Sequence, residues 1–176
     1  MTERNVILYL SESLDGFIAE RDGSTSFLSK LNSSAADAAY QDFYQSIDTV
    51  LMGRKTYQRA LQKAGVYPYQ DKESYVFSTT MHDTDDPTTV VAGNIPNFVR
   101  QLKAKPGKDI WLVGGADIFT DLLKEDLIDT LIITIAPVLL GDGISLVASN
   151  LTDVPLQLTD ATQHDQFVTL TYAVQK

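Results

Sequence analysis

The chain has 176 residues, 44% of them apolar and 21% charged, and a formal net charge of −9. That length fits one domain, residues 1–176, able to bury about 70% of its unfolded surface, and the acidity argues against nucleic acid as a main partner because no basic run offsets repulsion from phosphate. Cysteine is absent, which excludes disulfides, thiolate metal sites and cysteine nucleophiles and suits a cytoplasmic protein.

A membrane span needs about 18 or more consecutive apolar residues. The longest candidate, Leu131 to Leu140, is interrupted by Thr134 and Pro137, so no membrane partner is expected. Residues 1–5 lead directly into a strand, and no signal peptide is expected. His82 and His164 stand far apart in polar surroundings and read as surface residues rather than ligands, so no metal site is expected.

In chain order, Asn5 to Leu10 reads as the first strand, followed by a loop through Leu14-Asp15-Gly16-Phe17-Ile18-Ala19. Glu20 to Ser26 is polar, carries the turn signal Asp22-Gly23, and reads as a mobile surface loop. A helix is expected from about Ser34 to Ile47, capped by Ser33 or Ser34, with Ala36, Tyr40, Phe43, Tyr44 and Ile47 as its buried stripe. Thr49 to Met52 is the second strand and Thr56 to about Lys63 a short helix. Ser74 to Ser78 and Thr88 to Ala92 are two further strands, and Ile95 to Ala104 a helix ending near Pro106-Gly107. Ile110 to Val113 is a strand, Ala116 to Leu123 a helix, and Leu131 to Ala136 a continuous β-rich run suited to a strand covered on both faces. Leu156 to Ala161 and Phe167 to Val174 alternate apolar and polar and predict an antiparallel hairpin at the sheet edge. The order describes an α/β domain, a mostly parallel sheet with antiparallel strands added at the C-terminal end. Ligands on such sheets bind outside the carboxyl ends of the strands.

Two strand-to-helix junctions fall at those ends: Val50-Leu51-Met52-Gly53-Arg54-Lys55-Thr56-Tyr57 and Ile110-Trp111-Leu112-Val113-Gly114-Gly115-Ala116-Asp117-Ile118-Phe119. Each breaks an apolar run at glycine and resumes with helical spacing, which aims free N–H groups and a positive dipole end at one spot. Either junction alone is equally a plain helix start or turn. Together, one of them carrying Arg-Lys-Thr, they suggest a dinucleotide held at both its phosphate groups. Neither G-x-G-x-x-G nor the P-loop pattern occurs.

Leu14-Asp15-Gly16-Phe17-Ile18-Ala19, Met52-Gly53-Arg54-Lys55-Thr56-Tyr57, Val76-Phe77-Ser78-Thr79 and Val113-Gly114-Gly115-Ala116 occur in an order and spacing that resemble the dihydrofolate reductase superfamily. Pro137-Val138-Leu139-Leu140-Gly141-Asp142-Gly143 is similar to its branch containing the reductase domain of riboflavin biosynthesis. The resemblance covers essentially the whole chain. It implies a three-layer α/β/α mixed sheet and an NADPH-dependent reductase, most like 5-amino-6-(5-phosphoribosylamino)uracil reductase, with a small-molecule substrate and a homodimer as the assembly. Dihydrofolate reduction, or NADPH binding without turnover, are the alternatives.

Carried over by position, the resemblance implies that Arg54, Thr56, Ser78 and Thr79 hold the adenosine 2′-phosphate and nearby phosphates, with Lys55 adding charge and Gly53 also cofactor-binding. Val113, Gly114, Gly115, Ala116 and the helix start at Asp117 would hold the pyrophosphate. Ile18 and Ala19 would flank the nicotinamide, with the Glu20–Ser26 loop closing over it. Asp37 falls where dihydrofolate reductases carry the acid that binds and helps protonate the substrate, and Thr134 matches the threonine supporting that acid. Asp37 is equally placed as an ordinary first-turn acid, in which case Asp15, otherwise a turn residue, is the next candidate. Two positions depart from the folate pattern: Phe119 in place of tyrosine, and Gln41 in place of a large apolar residue. No second basic cluster stands ready for a substrate phosphate. Trp111 reads as packing; Tyr67, Tyr69 and Tyr75 read as a covering loop or as rings that stack on adenine.

Overall fold

The computed structural model describes residues 3–147 and 151–176; Met1 and Thr2, from the stretch read as leading straight into the first strand, lie outside them. The described elements are β1 (Val6–Ser13), β2 (Phe17–Ala19), α1 (Ser26–Ser29), α2 (Ser34–Ser46), β3 (Ile47–Gly53), α3 (Arg54–Ala64), β4 (Glu73–Phe77), β5 (Thr88–Val91), α4 (Ile95–Lys103), β6 (Asp109–Gly114), α5 (Ala116–Lys124), β7 (Thr130–Ala136), β8 (Ile144–Ser145), β9 (Leu156–His164) and β10 (Phe167–Val174).

Eight strands form one sheet in the order β5-β4-β3-β6-β1-β7-β10-β9. From β5 to β7 the pairs are parallel, and β10 and β9 are added antiparallel. The central strands read as unbroken apolar runs because both their faces are covered. On one face, Val6, Leu8, Leu51 and Leu112 pack against Val99 and Leu102 of α4 and Phe119 and Leu122 of α5. On the other, Val50, Met52 and Trp111 pack against Tyr57 of α3 and the half-buried Tyr40, Phe43 and Tyr44 of α2. This is the expected three-layer α/β/α arrangement.

The serine that caps α2 is Ser33, whose Oγ accepts from the N–H of Ala36 at 3.1 Å. Asn94 does the same for α4, accepting from Asn97 N–H at 2.9 Å. Helices α3 and α5 instead begin at Gly53 and Gly115 and have no side-chain cap.

Three elements were invisible in the sequence. β2 and β8 pair only with each other, Phe17 opposite Ser145 and Ala19 opposite Ile144; strands this short, joined across more than a hundred residues, leave no periodicity. Glu20 to Ser26 is a hydrogen-bonded turn, with Glu20 N–H donating to Ser24 O at 2.9 Å and Gly23 N–H to Glu20 O at 2.8 Å, and it leads into α1. The hairpin is present at the sheet edge with β9 outermost, since β10 pairs with β7 on one side and β9 on the other. β9 is exposed from Leu156 to Gln163.

Candidate functional site

Parallel pairing of β3 with β6 sets Met52 opposite Gly114, so the two glycine junctions lie side by side at the carboxyl edge. They approach so closely that a Cβ on Gly53 would stand 2.9 Å from Ile118 Cδ1 and 3.8 Å from the Gly115 nitrogen. Gly114 has φ +143°, a conformation that side chains resist, and its peptide bond to Gly115 is cis. Thr56 Oγ1 faces both glycines, 3.7 Å from where either Cβ would be. The first-turn N–H groups of α3 and α5 thus open onto one place without a side chain to satisfy them. Of the remaining junction residues, Val113, Gly115 and Ala116 are half-buried beside this edge, while Asp117 and Lys55 are exposed.

Next to the junctions is a cavity of about 300 Å³. Arg54, Ser78 and Thr79 line it, together with Phe77, Thr80, Val91, Gly93, Ile95 and Ile118. Ser78 Oγ accepts from the N–H groups of Thr80 at 3.2 Å and Met81 at 3.0 Å and lies 3.4 Å from Thr80 Oγ1, a contact in which either hydroxyl can donate. Half-buried Arg54 has no acceptor among the described residues. A guanidinium, a serine hydroxyl and uncapped helix ends form a donor set that suits phosphate oxygens. The contribution of the β5–α4 turn, Gly93 to Ile95, was not read from the sequence; its one signal is a third glycine at a strand end, Ala92-Gly93-Asn94. Tyr67, Tyr69 and Tyr75 do not reach the cavity. Tyr67 and Tyr69 belong to the aromatic layer around Trp111, and Tyr75 is buried on the opposite face against Phe98. Phe77 is the ring at the cavity instead. Trp111 is buried, its indole N–H donating to Tyr9 O at 3.0 Å.

A row of hydroxyls crosses the α2 face of the sheet at the same edge. Ser11 pairs in register with Thr134, and Thr134 with Thr169. The Thr134 and Thr169 hydroxyls are 2.9 Å apart, and the Tyr9 phenol also contacts Thr134; burial raises the pKa of that phenol. From helix α2, Phe43 stacks on Tyr9 at 4.5 Å and Tyr40 tilts against it at 5.9 Å. Asp37 is three residues before Tyr40, about 4.5 Å along the helix. Its side chain is exposed and has no bond among the described residues, and Thr134 turns its hydroxyl to Thr169.

The other carboxylates at this edge are differently committed. Asp15 accepts from Ser13 Oγ at 2.7 Å, Leu140 N–H at 3.1 Å and Gly141 N–H at 2.7 Å. Those bonds, the one from Ser13 foremost, hold its pKa down to about 2, so Asp15 clamps two loops as a carboxylate and makes a poor proton donor. Glu12 lies on the opposite face, in phase with Val6, Leu8 and Leu10, where burial raises its pKa. Ile18 and Ala19 lie in β2, half-buried and buried respectively, with Ala19 O so close to Gly143 that a Cβ there would collide with it. Phe119 is fully buried in the α4–α5 core and Gln41 is exposed. His82 is exposed and His164 half-buried.

The profile of the RibD C-terminal domain family matches residues 4–170. The chain belongs to that family. Among curated proteins, the uncharacterized protein YwjB of Bacillus subtilis strain 168 is 41% identical over 171 residues, covering 97% of this chain and 98% of its own. A protein of Shewanella sp. PV-4 whose name assigns it to riboflavin biosynthesis superposes with TM-score 0.87 at 28% identity, over 98% of this chain and 99% of that one. Dihydrofolate reductase from Enterococcus faecalis, solved with NADP(H), superposes with TM-score 0.69 at 13% identity, over 98% and 97% of the two chains. At that identity the likeness is one of fold. The family is that of the RibD C-terminal domain, the fold is shared with dihydrofolate reductase, and no described helix is long and apolar enough to cross a membrane.

Proposed function

We propose that the chain is an NADPH-dependent reductase of a small heterocycle, most like 5-amino-6-(5-phosphoribosylamino)uracil reductase. The observation that carries this reading is the pair of uncapped helix starts at Gly53 and Gly115, adjacent and opening beside a cavity lined by Arg54, Ser78 and Thr79. Bound NADPH supplies the hydride. The chain's own work is to hold and orient: Arg54 with Ser78 and Thr79 at the 2′-phosphate, the α5 start at the pyrophosphate, Ile18 and Ala19 beside the nicotinamide. Asp37 supplies the proton-linked carboxylate over the hydroxyl row. A cytoplasmic location is part of the same proposal.

The test is calorimetric titration followed by an oxidation assay. NADPH is expected to bind and raise Tm by the amount linkage requires. Arg54→Ala should weaken NADPH by about 10- to 150-fold, the worth of a charge-assisted bond, and leave NADH unchanged, because NADH has a hydroxyl where NADPH has the phosphate. No NADPH effect at millimolar concentration sinks the reading. NADPH binding without oxidation on adding the uracil substrate or dihydrofolate leaves a binding protein. As the assembly we propose a homodimer joined through the β9 edge, whose backbone is unpaired on one side. Light scattering at micromolar concentration that gives only 19.4 kDa rules that out.

A further inference from the structure

One row of the sheet carries a hydroxyl on each of the neighbouring strands β1, β7, β10 and β9. Ser11 stands opposite Thr134, Thr134 opposite Thr169, and Thr169 opposite Thr162. In the antiparallel pairs, opposed residues share a face and keep their Cβ atoms roughly 4.5–5.5 Å apart, a spacing at which threonine hydroxyls interact. The Thr134 and Thr169 hydroxyls are 2.9 Å apart and either can donate. At the outer end Thr162 Oγ1 donates to Asp160 Oδ2 at 2.7 Å. Thr134 and Thr169 are buried, whereas Thr162 and Asp160 are exposed. At the inner end the Tyr9 phenol reaches Thr134.

A threonine pair by itself is ordinary cross-strand packing. The rows on either side, on the same face, are different. Toward the amino ends, Tyr9, Ile132, Thr171 and Asp160 line up, and Ile132 breaks the row. The other way, Ser13 is opposite Ala136 and Phe167 opposite His164, so two packed apolar side chains intervene. Of these three rows, only the one through Thr134 carries hydroxyls all the way to exposed β9. Burying a hydroxyl where valine would fill the same space is unfavourable unless the hydroxyl is used.

We infer that this row is a proton path into the substrate half, in which Thr169 and Thr162 act through Thr134 as positioning residues and Asp160 collects the proton from solvent. This rests on the reductase reading above. Hydride transfer to a C=N or C=O carbon drives the π-electron pair onto nitrogen or oxygen, which takes one proton. A hydroxyl both donates and accepts, so one that gives its proton inward and takes another from outside is unchanged overall. Thr134 gives its own and is refilled through Thr169 and Thr162, and water replaces the last proton at Asp160. A substrate that covers Asp37 shuts the direct route from solvent, whereas the row approaches through the strands.

The first measurement needs no turnover. With threonine labelled with carbon-13 at Cβ, exchange of the Thr134 hydroxyl is read in the full chain from its isotope shift in mixed light and heavy water. Thr169→Val should slow that exchange by up to about 10-fold, the factor that one hydrogen bond carries. Thr169→Ser should restore it, and Thr162→Val, a change on the exposed strand that leaves the core intact, should slow it as well. Exchange that neither valine variant alters overturns the inference. With NADPH and the uracil substrate, both valine variants should lower kcat while KM and NADPH affinity stay the same, and added imidazole should restore kcat, which it cannot do for a damaged fold. A loss that imidazole leaves in place also overturns the inference. If the wild type reduces nothing, the reductase reading falls, and the exchange rates alone decide the proton path.

Discussion

The two ends of the sheet treat buried charge in opposite ways. At the amino ends of the strands, buried Arg4 donates to Asp48 and to Thr49 Oγ1 at 2.6 Å, and buried Lys103 pairs with Asp129. Half-buried Lys72 reaches Ile47 O at 3.1 Å and Asp71 at 3.4 Å. At the carboxyl ends, half-buried Arg54 and Arg59 have no acceptor among the described residues, and the two helices that start there between strands β3 and β6 lack side-chain caps. Asp37, in the first turn of α2, is likewise left without a side-chain bond among the described residues. A region that only holds the fold together closes its polar groups on one another. The donors left open at the carboxyl edge are those the proposed anionic cofactor would use.

The largest expected effect breaks the amino end. Asp129 accepts from Lys103, from Lys176 at 2.7 Å and from Val6 N–H at 2.7 Å. Asp129→Ala strands a buried lysine, a change that typically costs about 3–5 kcal/mol, and should appear as a large fall in denaturant midpoint with NADPH affinity of the folded fraction unchanged. Burial alone would raise the Asp129 pKa, but the Lys103 and Lys176 bonds outweigh it and the net shift is downward. A depressed carboxylate stabilises the fold above its unfolded pKa, about 3.9, and loses that contribution as pH falls through the lower folded value. The difference between wild type and variant should therefore be full at neutral pH and close in strong acid. A variant as stable as wild type at pH 7 would show that this end is not held by its charges.

The carboxyl end was the more legible in sequence, because its signals are local. Gly53-Arg54-Lys55-Thr56 and Gly114-Gly115 are contiguous, and parallel pairing of the strands before them brings them together without further instruction. Ser78 and Thr79 follow from the next strand end. What stayed hidden depends on pairing between distant segments: the β2–β8 ladder, the Asp15 clamp on residues 140 and 141, and the contact of Gly23 with Arg59. Arg59 carries no signal in the sequence, and only its packing against Gly23 marks it out. Tyr67, Tyr69 and Tyr75 misled in the other direction. Their nearness to Pro68 in sequence implied one cluster, but the pleat and the turn before β4 send Tyr75 to the opposite face of the sheet from the other two.

The smaller effect sharpens the comparison at its least settled point, the open acid. Asp37 makes no side-chain bond among the described residues and sits in the first turn of α2, where Ser33 already caps the helix. Replacing it by asparagine keeps the shape and removes only the charge and the proton. The loss to the fold should be confined to the helix-dipole contribution, about 0.3–1 kcal/mol, far below the cost at Asp129. Turnover at neutral pH should nevertheless fall by about 10²-fold or more, the usual worth of a positioned acid or base, with NADPH affinity nearly unchanged because Arg54 and the glycine junctions are untouched. Paired measurement of denaturant midpoint and kcat separates the two roles. A variant that loses stability but keeps its kcat returns Asp37 to the helix start. Asp15 cannot then take its place, since a carboxyl held down to about 2 by Ser13, Leu140 and Gly141 is ionised throughout the working range, and the proton would have to come through the Tyr9–Thr134–Thr169 hydroxyls.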